Sequence, residues 1–420
     1  MILLYRLITY LIYLVIYPYA AVKSAGGSNM WRGRLAQANL RQPATLWLHA
    51  ASAGEVRVIS YLLDYLKRRD PSLSAHVTVM TPAGYQIASQ VVDPGIGVSF
   101  FPLDVPRVVG RTLDALHPKL IVIAETEIWP NLAVEAARRG VPIVQVNGRM
   151  TVKSFGKYRL IRGSMRRILS GYERFFLKTK DDLSRFSHFG VGQDRVVVAG
   201  DMKFDAPVSE RSEARRQQIR SDLGITSEMF LLAAGSTRPG EEEILLDCFV
   251  RLIPAFPQLR LCLAPRHVNR VSEVCALVQS TGLRPILHSE HCEQPGNTLL
   301  TNTAVIIIDR MGLLAEIYSA ADLAFVGGTL QPLGGHNLLE PVWSGTPVLF
   351  GPSTGNVRES ADYICRGEYG AEVRDGDMLC AFVREIIEGK RRFRRKQDSD
   401  AERSATAIAG DYILKRLGHA

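Results

Sequence analysis

The sequence predicts an α/β fold in which two doubly wound, Rossmann-like halves follow a hydrophobic N-terminal anchor. Three observations carry that expectation. Residues 1–22 are almost wholly apolar, with Arg6 the sole charge. From residue 45 onward, short apolar runs alternate with helix-length segments. The alternation breaks at a charged stretch, residues 209–222 (SERSEARRQQIRSD), and resumes at residue 230. Short β-rich runs separated by helical ones imply parallel sheets with helices on both faces. A chain of 420 residues is expected to form two domains of similar size. The expected boundaries are an anchor 1–22, a linker 23–43, a first domain 44–208, a connector 209–225, a second domain 226–400 and a C-terminal helix 401–420.

The anchor reads differently from a secretory leader, which has a basic start and a small-residue cleavage site. Ala20 and Ala21 imitate that site only weakly. Tyr5, Tyr10, Tyr13, Tyr17 and Tyr19 stud the stretch, as rings at a membrane interface do. Residues 7–22 fall short of the roughly 20 that cross a bilayer, so the segment either spans or dips into one leaflet. Lys23, Arg32, Arg34 and Arg41 follow it, which puts the body on the cytoplasmic side.

In the first half, strands are expected at 45–49 (TLWLH), 76–81, 97–101, 120–124 (LIVIA) and 142–147, with helices at 56–69, 84–92, 108–116 and 131–139. A basic helical region covers 153–170, and strands at 175–178 and 195–198 end this half. In the second half, strands are expected at 230–234, 259–264, 285–287, 304–308, 323–326 and 347–350, with a last helix at 401–417. Ligands in such sheets bind at the carboxyl ends of the strands, so two successive halves are expected to enclose a cleft.

Composition narrows the partners. Fifty-one basic against 42 acidic residues leave a net charge of +9. That balance favours anionic lipid, phosphorylated substrates or nucleic acid, without choosing among them. The six cysteines all lie between Cys248 and Cys380 and form no C-x-x-C pair. Buried free thiols in a reducing compartment are therefore expected, rather than a disulfide framework or a zinc site.

Six segments at predicted strand ends can carry chemistry. Residues 51–55 (ASAGE) put Glu55 just after the first strand, where a carboxylate can take a proton or merely complement a helix dipole. Glu125 and Glu127 close the 120–124 strand, either orienting a polar acceptor or capping the helix after Asn131. The 153–170 region presents Lys153, Lys157, Arg159, Arg162, Arg166 and Arg167, suited to acidic head groups or to a solvated face. Residues 235–238 (GSTR) form a strand-to-helix turn suited to phosphate or to an ordinary connection. Arg266, within 265–267 (PRH), can pair with a phosphate or simply face solvent. The strongest signal is Gly327-Gly328 followed by residues 334–341 (GGHNLLEP). Its glycines allow close backbone approach, a helix is expected to start near Asn337, and Glu340 can accept from ribose hydroxyls.

Taken in order, Ser52-x-Gly54-Glu55, residues 125–131 (ETEIWPN), Lys203-Phe204-Asp205, 265–267 (PRH), 321–328 (ADLAFVGG) and Gly334-Gly335-His336-Asn337-x-Leu339-Glu340 resemble one family. It is the 3-deoxy-D-manno-octulosonic acid (Kdo) transferases of lipopolysaccharide synthesis, and the resemblance covers essentially the whole chain. It implies a GT-B fold with the site between two Rossmann-like domains. It implies an inverting, metal-independent transfer of Kdo from CMP-Kdo to a lipid A precursor at the cytoplasmic face of the inner membrane, with no cofactor. The expected partners are CMP-Kdo, the lipid A precursor and the anionic membrane surface; no nucleic acid is expected.

Carried onto this sequence, the resemblance makes Glu55 the general base, with Glu127 and Lys203 beside it in the catalytic set. Ser236, Thr237, Pro265, Arg266, His267, Met311, Gly312, Gly334, Gly335, Asn337 and Glu340 would hold the donor. Glu125, Arg149 and Lys153 would hold the acceptor. The sequence departs from the family pattern at Asp201, where a serine is expected, and at Arg238, where a histidine is expected. A GT-B-like nucleotide-sugar epimerase shares the two-domain layout, but a soluble substrate gives no reason for a hydrophobic anchor. A membrane-tethered scaffold or nucleic-acid binder would use the basic segment, yet no nucleic-acid motif accompanies it.

Overall fold

A computed structural model of the chain describes residues 2–37, 43–205, 213–293, 301–396 and 404–418. Parts of the expected linker (38–42), connector (209–212) and C-terminal segment (401–403 and 419–420) lie outside the described residues. So does the side chain of Cys292. The chain divides into two compact units, Met1–Ala206 with Ala401–Ala420, and Pro207–Asp400.

The first unit runs α1 (Ile2–Ala25), α2 (Asn29–Arg34), β1 (Leu46–Ala50), α3 (Ala53–Arg69), β2 (Ala75–Val79), α4 (Pro82–Val91), β3 (Gly97–Phe100), α5 (Pro106–Leu116), β4 (Leu120–Ala124), α6 (Pro130–Arg138), β5 (Ile143–Gly148), α7 (Val152–Arg159), α8 (Arg162–Leu169), β6 (Tyr172–Leu177), α9 (Lys180–His188) and β7 (Val196–Val198). The second runs α10 (Glu213–Asp222), β8 (Phe230–Thr237), α11 (Glu241–Leu252), β9 (Leu259–Pro265), α12 (Val271–Ser280), β10 (Arg284–Leu287), α13 (His288–Glu293), β11 (Ala304–Ile307), α14 (Leu314–Ala320), β12 (Leu323–Val326), α15 (Leu339–Trp343), β13 (Val348–Phe350), α16 (Arg358–Arg366), β14 (Gly370–Glu372) and α17 (Gly376–Ile387). A last helix, α18 (Ala405–Leu417), belongs to the first unit.

Both sheets are parallel throughout the described pairings, in the orders β3-β2-β1-β4-β5-β6-β7 and β10-β11-β9-β8-β12-β13-β14. Parallel strands are covered on both faces, which is why β4 reads LIVIA and is buried at every position. In β1, Leu46, Leu48 and Ala50 join one core with Val56, Ile59 and Leu62 of α3. Trp47 faces the other way, into a core with Leu113 of α5 and Leu132 of α6. Each fully buried side chain of this kind contributes roughly 1.5–3 kcal/mol. Side-chain caps start the helices: Ser52 for α3, Thr81 for α4, Thr179 for α9 and Ser404 for α18.

Several elements differ from their sequence-based outlines. The apolar helix continues to Ala25, and part of the expected linker forms α2, whose Gly33 is pressed against Phe100. The basic region 153–170 is two helices, broken at Leu160 and Ile161. The described part of the charged connector is α10, and it belongs to the second unit: Arg216 and Arg220 pair with Asp322 at 2.7 and 3.0 Å. Its charges read as a linker because their partner lies about a hundred residues away. Strand β14 has three residues and no periodicity to announce it; Gly370 lies so close to Val348 that a Cβ would sit 1.9 Å from the Val348 carbonyl oxygen. Helix α18 returns to α3, with Gly410 against Tyr65, and Asp205 accepts from the Thr406 amide at 2.7 Å and its hydroxyl at 2.9 Å. The Asp of the Lys203–Asp205 motif thus secures a helix two hundred residues on. Five cysteines are free thiols as described, three of them buried, but Cys365 is exposed.

Candidate active site

In the first sheet the chain winds one way from β1 to β3 and the other way from β4, so β1 and β4 flank the switch point. Crevices open there, at the strands' carboxyl ends. Glu55 follows β1 and Glu125–Glu127 follow β4, so the topology brings these acids to one crevice.

Glu55 lies in the first turn of α3, only 8% exposed. Its carboxylate accepts from the Ala51 amide at 2.7 Å and the Ser52 hydroxyl at 3.0 Å, while Ser52 Oγ accepts from the Glu55 amide. This reciprocal arrangement is close to a capping box. The carboxylate thus fills the helix-end role. Burial pushes the Glu55 carboxyl up from its ordinary value, and the negative charge of Glu125 adds to that. Glu127 is pushed up to about 7, first by burial and then by Glu55 and Glu125. Like charges in a half-buried crevice resist simultaneous ionisation.

Cations offset the acids. Glu125 Oε1 lies 3.1 Å from Lys203 and 3.3 Å from Lys178, and Lys178 also pairs with Asp201 at 3.0 Å. Burial lowers the Lys203 pKa, but Glu125 and Asp201 outweigh it and the net shift is upward. Glu125 has a left-handed backbone (φ 52°), a conformation that costs roughly 1–3 kcal/mol in a non-glycine residue. Its amide donates to the Val146 carbonyl at 2.9 Å, and its carbonyl accepts from the Gln145 side chain. Thr126 donates to the Arg149 carbonyl. The Arg149 side chain is exposed and close enough to oppose the charge on Lys203. Lys153 is exposed on α7, the helix whose Tyr158 feels the charge of Glu127. The Phe101 ring centroid lies 4.0 Å from that of His49 and 4.8 Å from that of Trp129, tilted by 35° and 36°.

In the second sheet β8 and β12 flank the corresponding switch point. Ser236 (φ 57°), buried Thr237 and Arg238 end β8; Pro265, Arg266 and His267 end β9. Arg238 Nε donates to His336 at 3.2 Å, and its guanidinium contacts His267 Nε2 at 2.8 Å. The His336 pKa is lowered by burial first, then by Arg238, Arg266 and His267. Two arginines and two histidines thus gather at one end of the sheet. Glu340 is half-buried and its pKa is raised by burial. Met311 and Gly312 are exposed between β11 and α14. Among the described residues, no group of three His, Cys, Asp or Glu is placed to hold a metal ion.

The glycine loop behaves differently from its sequence-based outline. The Glu241 carboxylate accepts from the amides of Arg238 (3.0 Å), Gly328 (2.8 Å), Thr329 (3.0 Å) and Leu330 (2.9 Å). The Gly334 amide donates to Ser353 Oγ and the Gly335 amide to the Gly328 carbonyl. Helix α15 begins at Leu339, later than Asn337, and Asn337 Oδ1 accepts from the Leu339 amide. These amides are engaged within the protein. Gly334 and Gly335 have φ of 85°, and a Cβ on either would strike Asn356 or Val357.

Sequence reasoning assigned no site role to Lys178 or Glu241. Lys178 carried a signal, a cation closing an apolar strand. Nothing local separates Glu241 from its neighbours Glu242 and Glu243.

The sequence profile of the 3-Deoxy-D-manno-octulosonic-acid transferase (kdotransferase) family matches residues 29–206. A bifunctional glycosyltransferase/methyltransferase of Fusobacterium nucleatum is 32% identical over 88% of this chain, which spans 56% of that protein's length. A 3-deoxy-D-manno-octulosonic acid transferase of Haemophilus influenzae is 31% identical, over 79% of this chain and 78% of its own. Among solved structures, a UDP-GlcNAc 2-epimerase of Neisseria meningitidis bound to UDP-GlcNAc shares the fold (TM-score 0.52, 12% identity), covering 89% of this chain and 100% of that one.

Proposed function

Because the chain belongs to the Kdo transferase family of glycosyltransferases, we propose that it transfers Kdo from CMP-Kdo to a lipid A precursor, with Glu55 as general base. Glu55 takes the proton of the acceptor sugar hydroxyl. The resulting oxygen forms a bond to the anomeric carbon of Kdo, and the bond from that carbon to the phosphate oxygen breaks. The electron pair leaves with CMP, and the anomeric configuration inverts. No step is routed through a metal; Arg266 and Arg238 carry the positive charge that receives the phosphate.

One observation carries this reading. The Glu55 carboxylate is immobilised by Ala51 and Ser52 at a switch point and has a raised pKa. A base whose pKa approaches the working pH is the more effective proton acceptor. Around it, Glu127 orders the acceptor, Lys203 offsets donor charge, and Glu125, Arg149 and Lys153 bind the acceptor lipid. Ser236, Thr237, Pro265, His267, Gly334, Gly335, Asn337 and Glu340 take the nucleotide with Arg266, and Met311-Gly312 lie by its base and ribose. The work is done at the cytoplasmic face of the inner membrane, where α1 is the anchor.

The test is the purified enzyme with CMP-Kdo and lipid A precursor, read by mass spectrometry. The expected product is heavier by Kdo, and Glu55→Gln lowers turnover by about 10²–10⁴-fold, the usual range for losing a general base. Wild-type turnover in Glu55→Gln removes Glu55 as the base. No Kdo-bearing product at all removes the substrate assignment.

A further inference from the structure

Helix α1 is long and apolar enough to cross a membrane, yet it is bound along its length to the first unit. Tyr5 donates to Asp104 at 3.0 Å, Arg6 pairs with Glu135 at 2.8 Å, and Asn131 donates to Thr9 at 3.2 Å. Tyr13, Ala20 and Ser24 are buried further on, and Ser24 donates to Gln37 at 2.7 Å. Positions 5, 9, 13, 20 and 24 share one stripe of the helix, by its 3.6-residue turn. The opposite stripe is bare: Leu3, Val15 and Val22 are 82%, 81% and 72% exposed, with Leu7, Leu11 and Leu14 also exposed.

A spanning helix touches its domain only at one end. Crossing the bilayer would carry Tyr5 and Arg6 away from Asp104 and Glu135, which are buried. It would take one partner from each carboxylate, leaving Asp104 with the Asn131 and Leu132 amides and Glu135 with Arg138 and Arg139, and would draw the Arg6 charge toward hydrocarbon, two costs that act together. Lying in the membrane plane keeps every contact and still buries the bare stripe.

A second element near α1 has the composition of a membrane contact. Helix α8 supplies Met165, Ile168 and Leu169 to the core that Ile2 packs against. The α7–α8 hairpin leaves Val152 72% and Leu160 86% exposed. From residue 152 to residue 170 it carries six cations (Lys153, Lys157, Arg159, Arg162, Arg166 and Arg167) and no acid. Exposed apolar side chains ringed by unopposed cations match an anionic phospholipid surface.

We infer that α1 lies in the plane of the bilayer, docked on the first unit, and that the α7–α8 hairpin is a second contact with anionic lipid. The inference deepens the membrane reading above and rests on it. Two measurements test it. The full chain, with an N-terminal epitope on a cleavable linker, is expressed in a Gram-negative host, and inner-membrane vesicles are inverted so that the cytoplasmic face is outside. Added protease is expected to remove all of the epitope without detergent. An epitope protected until detergent is added overturns the in-plane helix while keeping the membrane reading. Absence of the protein from the vesicles overturns both. Separately, purified protein is floated with vesicles of phosphatidylglycerol and phosphatidylcholine or of phosphatidylcholine alone. The Lys157→Glu, Leu160→Ser variant is expected to lose at least about fivefold in partition to the anionic vesicles, the factor for one basic side chain near such a surface. Partition equal to wild type overturns the hairpin contact.

Discussion

Lys178 and Asp201 form an ion pair of 3.0 Å at the carboxyl end of β6, with the lysine side chain 6% exposed and the aspartate 8%. The same ammonium reaches Glu125 at 3.3 Å. Asp201 is one of the two departures from the family pattern, and its neighbour in space explains how an extra acid is tolerated there. Replacing Lys178 by methionine leaves the buried Asp201 carboxylate without this partner and Glu125 with Lys203 alone among the described residues. Loss of one partner from a buried pair costs about 3–5 kcal/mol. The expected outcome is a lower urea midpoint, corresponding to a loss of unfolding free energy of that order, partly restored by adding Asp201→Ser. An unchanged midpoint would show that the charges are not coupled.

Glu127 makes the site's stability depend on pH. Its carboxyl is pushed up to about 7 from an ordinary 4.5. Below the ordinary value it is protonated in folded and unfolded chains alike and contributes nothing. Between about pH 4.5 and 7 the unfolded chain gives up this proton while the folded chain keeps it, so stability falls across that window and the loss is complete once the pH has passed 7. Glu127→Gln removes that loss. Urea titrations at pH 4, 6 and 8 should show the variant gaining on wild type between pH 4 and 6 and further between 6 and 8. A constant difference at all three would contradict the shift.

Glu241 is fully buried and holds four backbone amides of the β8 and β12 loops. Glu241→Ala strands all four donors, each worth roughly 1–3 kcal/mol when left unsatisfied in a buried place. A loss of several kcal/mol is expected, together with faster amide exchange at Gly328, Thr329 and Leu330. Retained exchange protection there would mean that other acceptors replace the carboxylate.

Gly235 is required by Tyr318. A Cβ at position 235 would stand 2.0 Å from the tyrosine hydroxyl and 2.6 Å from Leu314 Cδ1. Gly235→Ala should cost about 1–3 kcal/mol through overpacking. The Gly235→Ala, Tyr318→Phe double variant should recover part of that loss. Simple additivity of the two in thermal unfolding would dismiss the clash.

Much of the fold was legible because its signals are local. Strands buried on both faces show as unbroken apolar runs such as LIVIA, and each run's end marks a loop at the carboxyl edge of the sheet. That is how Glu55, Glu125 and Arg266 became candidates. Three-residue β14 and the break between α7 and α8 left no periodic trace. Lys178 and Glu241 were missed because pairing across a sheet depends on strand order, which no short window of sequence contains.

The amino-acid order by itself determined two α/β halves, an apolar N-terminal helix and a family's motifs at successive strand ends. These follow from hydrophobic periodicity and from residue types that suit only certain turns. Tertiary structure alone decided that Glu241 rather than a ligand fills the glycine-loop amides, and that α18 returns to α3. It also decided that α1 is docked by Tyr5, Arg6 and Thr9. Each of these is a contact between residues far apart in the chain, and its strength comes from burial that exists only once the sheets have formed.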